Sequence, residues 1–287
     1  MTYKFTYEES IHWMQNQPEH SELVKFSYLD TDNFNAAQRF TLSEEFAEVA
    51  KLLKLNNSPN KLKILDLGCG NGIASYAFAY LGHDVSSVDP NPSEDLGLGA
   101  TARLASRINQ GSIETFQAFA ELLPFTDSTF DIIYVRQALH HFSSLQKGLA
   151  ECSRVLKAKG LLLATREHVT DNEKELKAFL ESHMLHKMNG GENAYPLNIY
   201  TSSIENSGFI IINCFTPFAT VINHFPISNT ELMDYLFQLL KKILGGRIAS
   251  FIINFPYVEI IYRYILSHFY KYPGRLYSFL CVKGKSK

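Results

Sequence analysis

Three glycines at alternate positions, Gly68, Gly70 and Gly72, follow directly on the apolar run Leu62 to Leu67. A compact apolar run of this kind reads as a strand buried on both faces of a parallel sheet. The glycines let the backbone turn tightly at positive φ and come close to a ligand. Ile73 to Leu81 is rich in Ala and Tyr and reads as a helix that stops at Gly82. His83 to Val88 is a second short strand, and Asp89 stands at its carboxyl end, 17 residues past Gly72. An acid there can accept hydrogen bonds from both hydroxyls of a ribose. Strand, glycine loop, helix and strand commit the chain to an open α/β sheet with a nucleotide-type cradle.

Spacing narrows the ligand. A dinucleotide fingerprint is G-x-G-x-x-G, but its third glycine position is Ile73 here, and the third glycine comes one residue early. Asp66, just before the loop, is poorly placed beside a pyrophosphate. It suits a cofactor with an amino group, such as the methionyl end of S-adenosylmethionine. A nicotinamide dehydrogenase is therefore disfavoured.

At these residues the chain resembles the class I S-adenosylmethionine-dependent methyltransferases, and within them the type 11 branch of small-molecule enzymes. Asp66-Leu67-Gly68-Cys69-Gly70-Asn71-Gly72 is similar to the first motif of that family, and Asp89-Pro90 to its ribose motif. Ala120-Glu121-Leu122-Leu123-Pro124-Phe125 is similar to the segment beside the adenine, and Phe130 to Val135 to the fourth strand. Leu139-His140-His141-Phe142 follows that strand, and Arg154 to Gly160 leads into the fifth. The resemblance implies a Rossmann-like seven-stranded sheet of order 3-2-1-4-5-7-6, with helices on both faces and strand seven antiparallel. It implies cofactor contacts at Asp66, Gly68, Gly70, Asn71, Gly72, Asp89, Pro90, Ala120 and Glu121, with Arg136 opening the strand-four loop near the methionyl end. One departure is Phe119, where the family often has an acid for the adenine amino group.

Within this frame, residues 1–58 read as an N-terminal helical cap, with apolar positions Phe40, Leu42, Phe46, Val49, Leu52 and Leu53 and a boundary turn at Asn56 to Asn60. Residues 59–287 form the methyltransferase domain. Within it, 219–273 is an aromatic helical insertion between strands six and seven. Its Phe251, Phe255, Tyr257, Tyr262, Tyr264, Phe269, Tyr270 and Tyr272 suit an apolar lid, a homodimer contact or a membrane-surface contact.

The net charge of −2 over 287 residues offers no basic field for nucleic acid. Cys69, Cys152, Cys214 and Cys281 are far apart and read as free thiols of a cytoplasmic protein. The segment Met1 to Phe5 lacks the apolar core of a signal peptide. Ile248 to Leu266, the longest greasy stretch, is broken by Asn254, Pro256, Glu259 and Arg263 and suits no transmembrane span.

Open α/β sheets bind ligands at the carboxyl ends of their strands, so the chemistry belongs after strands four and five. His140-His141 follows strand four, and Arg166-Glu167-His168 is expected to follow strand five. Asn172 to Leu185 reads as a polar helical stretch, and His183 and His186 are expected to share a helix face at i, i+3, just before Gly190-Gly191-Glu192-Asn193-Ala194-Tyr195. His168, His141, His186 and Glu167 are the catalytic candidates, for base catalysis or acceptor binding. A structural network and a metal site are the alternatives. The spacing is not diagnostic of a metal, and none is assigned.

The resulting expectation is methyl transfer to an oxygen of a small polar acceptor. A saccharide-like acceptor suits the polar set, and an aromatic or isoprenoid one suits the aromatic insertion. The rival is a partner protein that binds S-adenosylmethionine without transferring methyl.

Overall fold

A computed structural model describes residues 5–27, 32–55 and 60–284. Residues 56–59 of the expected boundary turn, and most of the segment Met1 to Phe5, lie outside the described residues.

The sheet has seven strands in the order β3-β2-β1-β4-β5-β7-β6. They are β1 (Lys63–Leu67), β2 (Asp84–Asp89), β3 (Ser112–Gln117), β4 (Phe130–Arg136), β5 (Leu156–Val169), β6 (Phe209–Phe215) and β7 (Arg275–Lys283). The first five run parallel, and β7 is antiparallel to both β5 and β6. The expected order and antiparallel seventh strand are therefore present. The order reverses between β1 and β4, which places the crevice beyond the ends of those two strands.

The four N-terminal helices divide between two tasks. In α3 (Asn33–Thr41) and α4 (Glu44–Leu52), Phe40, Phe46 and Val49 pack with α5 (Ile73–Tyr80) in one core on the sheet. Leu42, expected in that apolar face, falls in the turn between the two helices and is exposed. In contrast, α1 (Tyr7–Gln15) and α2 (Pro18–Ser27) form a small separate core. There Ile11, Met14 and Val24 meet Leu96 and two residues of α9 (Met184–Asn189), Leu185 and Met188. The other face of the sheet is covered by α7 (Leu145–Val155) and α10 (Leu197–Asn206).

Two expectations near the crevice are corrected. Arg166-Glu167-His168 does not follow strand five but lies within it. The β5–β7 register passes from Ala164↔Phe279 to Glu167↔Tyr277, so β5 holds one extra residue, and Arg166 adopts φ 60°. This bulge lets the strand continue while re-aiming the side chains after it. The expected helix from Asn172 to Leu185 is also interrupted. It ends as α8 (Glu173–Ser182), and His183 is extended at ψ 118° as the N-cap of α9. His183 and His186 therefore share no continuous helix face.

Between β6 and β7 run α11 (Val221–His224), α12 (Asn229–Leu244), α13 (Gly246–Ile253) and α14 (Val258–Phe269). Arg263 ties α14 down by donating to Phe218 O (3.0 Å) and contacting His224 Nε2 (2.9 Å). Phe251, Phe255, Tyr257, Tyr264 and Phe269 are exposed. No helix among the described residues is long and apolar enough to cross a membrane.

Candidate functional site

A cavity of about 470 Å³ runs along the carboxyl ends of β1, β2, β4 and β5. One end is formed by the glycine loop. Gly68 has φ 74°, and a Cβ there would lie 2.5 Å from Ala138 Cβ, so only glycine lets β1 and the strand-four loop approach so closely. Asp89 accepts hydrogen bonds from the N–H groups of Gly70 and Asn91, each at 2.9 Å. A carboxylate offers about four acceptor positions, so Asp89 retains capacity for ligand hydroxyls. Burial raises it above the ordinary value.

Asp66 is fully buried and accepts a 2.5 Å bond from Ser75 Oγ, which itself accepts from Ser87 Oγ. Burial first, with the Asp89 charge adding to it, pushes Asp66 up to about 7. An arriving cation would favour its charged form. The two acceptors thus fit a ligand with vicinal hydroxyls at one end and an ammonium at the other.

Ala120, Glu121, Pro90, Asn71 and Arg136 also line the cavity, while Gly72 does not, standing at the N-cap of α5. Glu121 accepts from Ser144 N–H at 2.9 Å and so anchors the N-cap of α7. The Arg136 guanidinium is committed to buried Glu45 of α4, at 2.8 and 2.9 Å. That pair fixes the N-terminal helices to the end of β4. Tyr7 of α1 reaches the cavity, and Glu8 beside it accepts from Asn91 Nδ2 at 3.0 Å.

The other end is built from imidazoles. Glu167 is fully buried and accepts from the N–H groups of Ala138 (3.0 Å), Leu139 (3.1 Å) and His140 (3.2 Å), and from His140 Nδ1 (2.7 Å). It closes the N-terminus of the short 3-10 helix Leu139–His141. Burial opposes charge on both partners, but their pairing prevails: Glu167 is held below the carboxylate range, and His140 is pushed up to about 9. Glu167, a catalytic candidate by sequence, does not line the cavity and is saturated with hydrogen bonds.

His168 and His141 are anchored in the same way. His168 donates Nδ1–H to Gly274 O at 2.8 Å, and His141 donates Nδ1–H to Gly191 O at 3.1 Å. A carbonyl only accepts, which fixes the tautomers. Burial and the neighbouring His140 cation push His168 down to about 3 and also lower His141. Both rings are neutral near pH 7 and carry their lone pair on Nε2. Gly191 turns at φ 84°, which brings its carbonyl to His141 and the next side chain, Glu192, inward.

Glu192 sits among these rings, 3.7 Å from His140 Nε2, 3.9 Å from His141 Nε2 and 4.0 Å from His183 Nδ1. Each of these separations is longer than a hydrogen bond. Burial opposes its charge, yet His140, His141 and His183 together push it down to about 2. His140 and His141, His168, and His183 were singled out by sequence in three separate stretches. Glu192 was grouped by sequence with His183, His186 and Asn193 as a set that could meet a polar substrate or a metal, but nothing in its spacing marks it as the centre. His186, the remaining catalytic candidate, does not line the cavity, because the break at His183 turns α9 away. Tyr7 and Glu45 were not anticipated, since their roles come from distant segments meeting.

Comparison with known proteins decides what this arrangement belongs to. Residues 65–164 match the family described as Methyltransferase domain. The chain carries a class I S-adenosylmethionine-dependent methyltransferase domain. It is 25% identical over 189 residues to a ubiquinone biosynthesis O-methyltransferase of Rhizobium johnstonii, covering 63% of this chain and 73% of that protein. It is 30% identical over 154 residues to the uncharacterized methyltransferase YcgJ of Bacillus subtilis, covering 50% and 56%. Its fold is similar to that of phosphoethanolamine N-methyltransferase 2 of Haemonchus contortus in complex with S-adenosyl-L-methionine, with a TM-score of 0.53 at 16% identity, covering 96% of this chain and 60% of that one. The cavity thus joins the glycine loop and its two acids, Asp66 and Asp89, to a histidine cluster.

Proposed function

We propose that this methyltransferase methylates a hydroxyl oxygen of a small acceptor, with His141 as the general base. The observation that carries the reading is the lone pair of His141 Nε2 at the cavity wall, on a side chain 44% exposed and anchored through its other nitrogen. S-adenosylmethionine supplies an electrophilic methyl group when bound. Asp89 accepts the ribose hydroxyls, Asp66 faces the ammonium, and Pro90, Ala120 and Glu121 flank the adenine. Gly68, Gly70, Asn71 and the backbone at Arg136 border the methionyl part. His141 takes the hydroxyl proton as the acceptor oxygen is methylated, and holding both reactants in line supplies much of the rate. His168, pushed down to about 3, is a much weaker base than His141, and Glu167 acts by positioning His140.

The acceptor body has a place beside the cluster. A second hollow of about 520 Å³ shares Gln137, His168 and His183 with the cavity and is lined by Phe179, Phe218, Tyr270 and Tyr272. This lining favours an aromatic or isoprenoid body over a saccharide. The name of the Rhizobium relatives, which act on oxygen, agrees with it. The test is formation of S-adenosylhomocysteine and a methyl ether from a panel of phenols and hydroxylated isoprenoids. Methylation confined to nitrogen or carbon, or an undiminished kcat in His141→Gln, would overturn the reading.

A further inference from the structure

The histidine cluster has an organisation that proton transfer alone does not require. His140, His168 and His141 each anchor Nδ1 on an acceptor: Glu167 at 2.7 Å, Gly274 O at 2.8 Å and Gly191 O at 3.1 Å. In each ring this leaves Nε2 as the free end, and in two of the three rings that end is placed against one carboxylate, Glu192. Such back-anchoring of the second nitrogen is the usual accompaniment of histidine ligation to a metal, because it fixes the tautomer and aims the lone pair. The ligating atoms of His140, His168 and Glu192 all lie within 4.8 Å of one another. The His140 Nε2 to Glu192 separation of 3.7 Å is too long for a hydrogen bond but matches two bonds of about 2.0–2.2 Å to a shared ion. The buried His183 Nδ1, 4.0 Å from Glu192, has no hydrogen-bond partner, so the pocket at the carboxylate holds unmet polar capacity.

We propose that His140 Nε2, His168 Nε2 and the Glu192 carboxylate bind one divalent transition-metal ion, of the zinc or ferrous type. Two imidazoles and one carboxylate suit such ions and not magnesium or calcium, which prefer all-oxygen shells. Binding displaces the proton on His140 Nε2 to solvent, while the Nδ1–H bond to Glu167 is kept. All three ligands line the cavity together with His141, so an ion held there would be within reach of an acceptor oxygen. The metal site does not depend on the acceptor reading, and it is measured without acceptor or cofactor.

The full chain, stripped with chelator, is titrated calorimetrically with ZnCl2 and spectroscopically with CoCl2. One ion per chain is expected, with cobalt showing ligand-field bands of a histidine-containing site. His168→Ala and Glu192→Gln should each weaken binding by about 100-fold or more, against 10–100-fold for loss of an anchoring partner. His268→Ala, at an exposed position of α14, should bind as wild type. S-adenosylhomocysteine binding retained by each variant shows that it is folded. A zinc-dependent rise in the melting temperature of the wild type provides a reading that needs no variant. Absence of zinc and cobalt binding to the wild type would overturn the proposal, as would unchanged affinity in both ligand variants. Metal binding without any methyl ether product would leave this site standing and remove only the oxygen-acceptor reading.

Discussion

At one end of the cavity the turn that begins at Gly68 presents largely main-chain atoms, with the acids Asp66 and Asp89 beside it. At the other, five side chains from the 3-10 helix, β5, the start of α9 and the Gly191 loop converge within a few ångströms. The first end is contiguous in sequence and rests on steric facts, such as the 2.5 Å approach that only Gly68 permits. The second exists only because a bulge in β5 and a break before α9 bring separate segments together. The glycine end should therefore tolerate side-chain changes that leave its backbone alone, whereas the histidine end should fail as a unit.

Removing Glu167 is the severest test of that difference. Glu167→Ala strips the acceptor from three backbone N–H groups and from a buried His140 at once. Breaking a buried pair by losing one partner costs about 3–5 kcal/mol, so chemical denaturation should show a loss of that order. His140 raised to about 9 adds a pH signature. Stability drawn from its charge is complete below about 6.5 and is lost as pH rises through about 9. The gap between wild type and Glu167→Gln should narrow over that range. A gap constant with pH would mean that His140 is not the charged partner.

Loss of the base comes next. His141→Ala should lower kcat by about 10²-fold or more, with S-adenosylmethionine affinity within about twofold of wild type, because the ring lies outside the glycine end. Its lowered pKa puts the rising limb of kcat/KM against pH below about 6.5. That limb should be missing in the variant. A large fall in cofactor affinity would break the separation of the two ends.

These expectations also show why one end was legible and the other was not. The turn at the glycine end could be read because a strand, three glycines and an acid stand in one stretch, and local geometry dictates their conformation. The sheet order followed from the same stretch through the family resemblance. The chemistry at His141 and His168 could be suspected from their place after or near strand ends. Glu192 as their common neighbour could not, because no local pattern encodes a meeting between residues about 50 apart. The expected His183–His186 face failed for a local reason: extended backbone at His183 ends one helix and starts another. The aromatic insertion was legible in its secondary structure but not in its placement. Its periodicity is helical, as expected, but Phe251, Phe255, Tyr257, Tyr264 and Phe269 lie on the surface away from the cavity, and only Tyr270 and Tyr272 reach the adjoining hollow.

At the glycine end, Asp89→Ala should weaken S-adenosylmethionine binding about tenfold or more, ~1.4 kcal/mol. It should leave the melting temperature and zinc affinity close to wild type. Two N–H groups lose an acceptor in that variant, but both lie at the edge of an open cavity where water can replace it. Calorimetry on the two ligands separately reads the contrast directly. A parallel loss of zinc binding would show that the ends are coupled through the cavity wall.

The gentlest probe is the pH dependence of cofactor affinity. Asp66 is pushed up to about 7 by burial and by the Asp89 charge. Below that pH the free protein holds Asp66 largely protonated, and a neutral carboxyl attracts an ammonium far less than a carboxylate does. Affinity for S-adenosylmethionine should therefore rise as pH climbs from 6 to 8 and level off above about 7. Total change should be at most about tenfold, since a group titrating at about 7 passes from mostly protonated to mostly ionised between pH 6 and 8. Asp66→Asn retains an oxygen for Ser75 Oγ but cannot titrate, so its affinity should be lower at pH 8 and flat across the range. The cofactor's own amino group affects both proteins alike, so the difference between their slopes is the reading. If wild type and Asp66→Asn show the same slope, Asp66 does not face the ammonium. Its buried pair with Ser75 and Ser87 would then be a brace between β1, α5 and β2, leaving main chain and Asp89 to do the binding at that end.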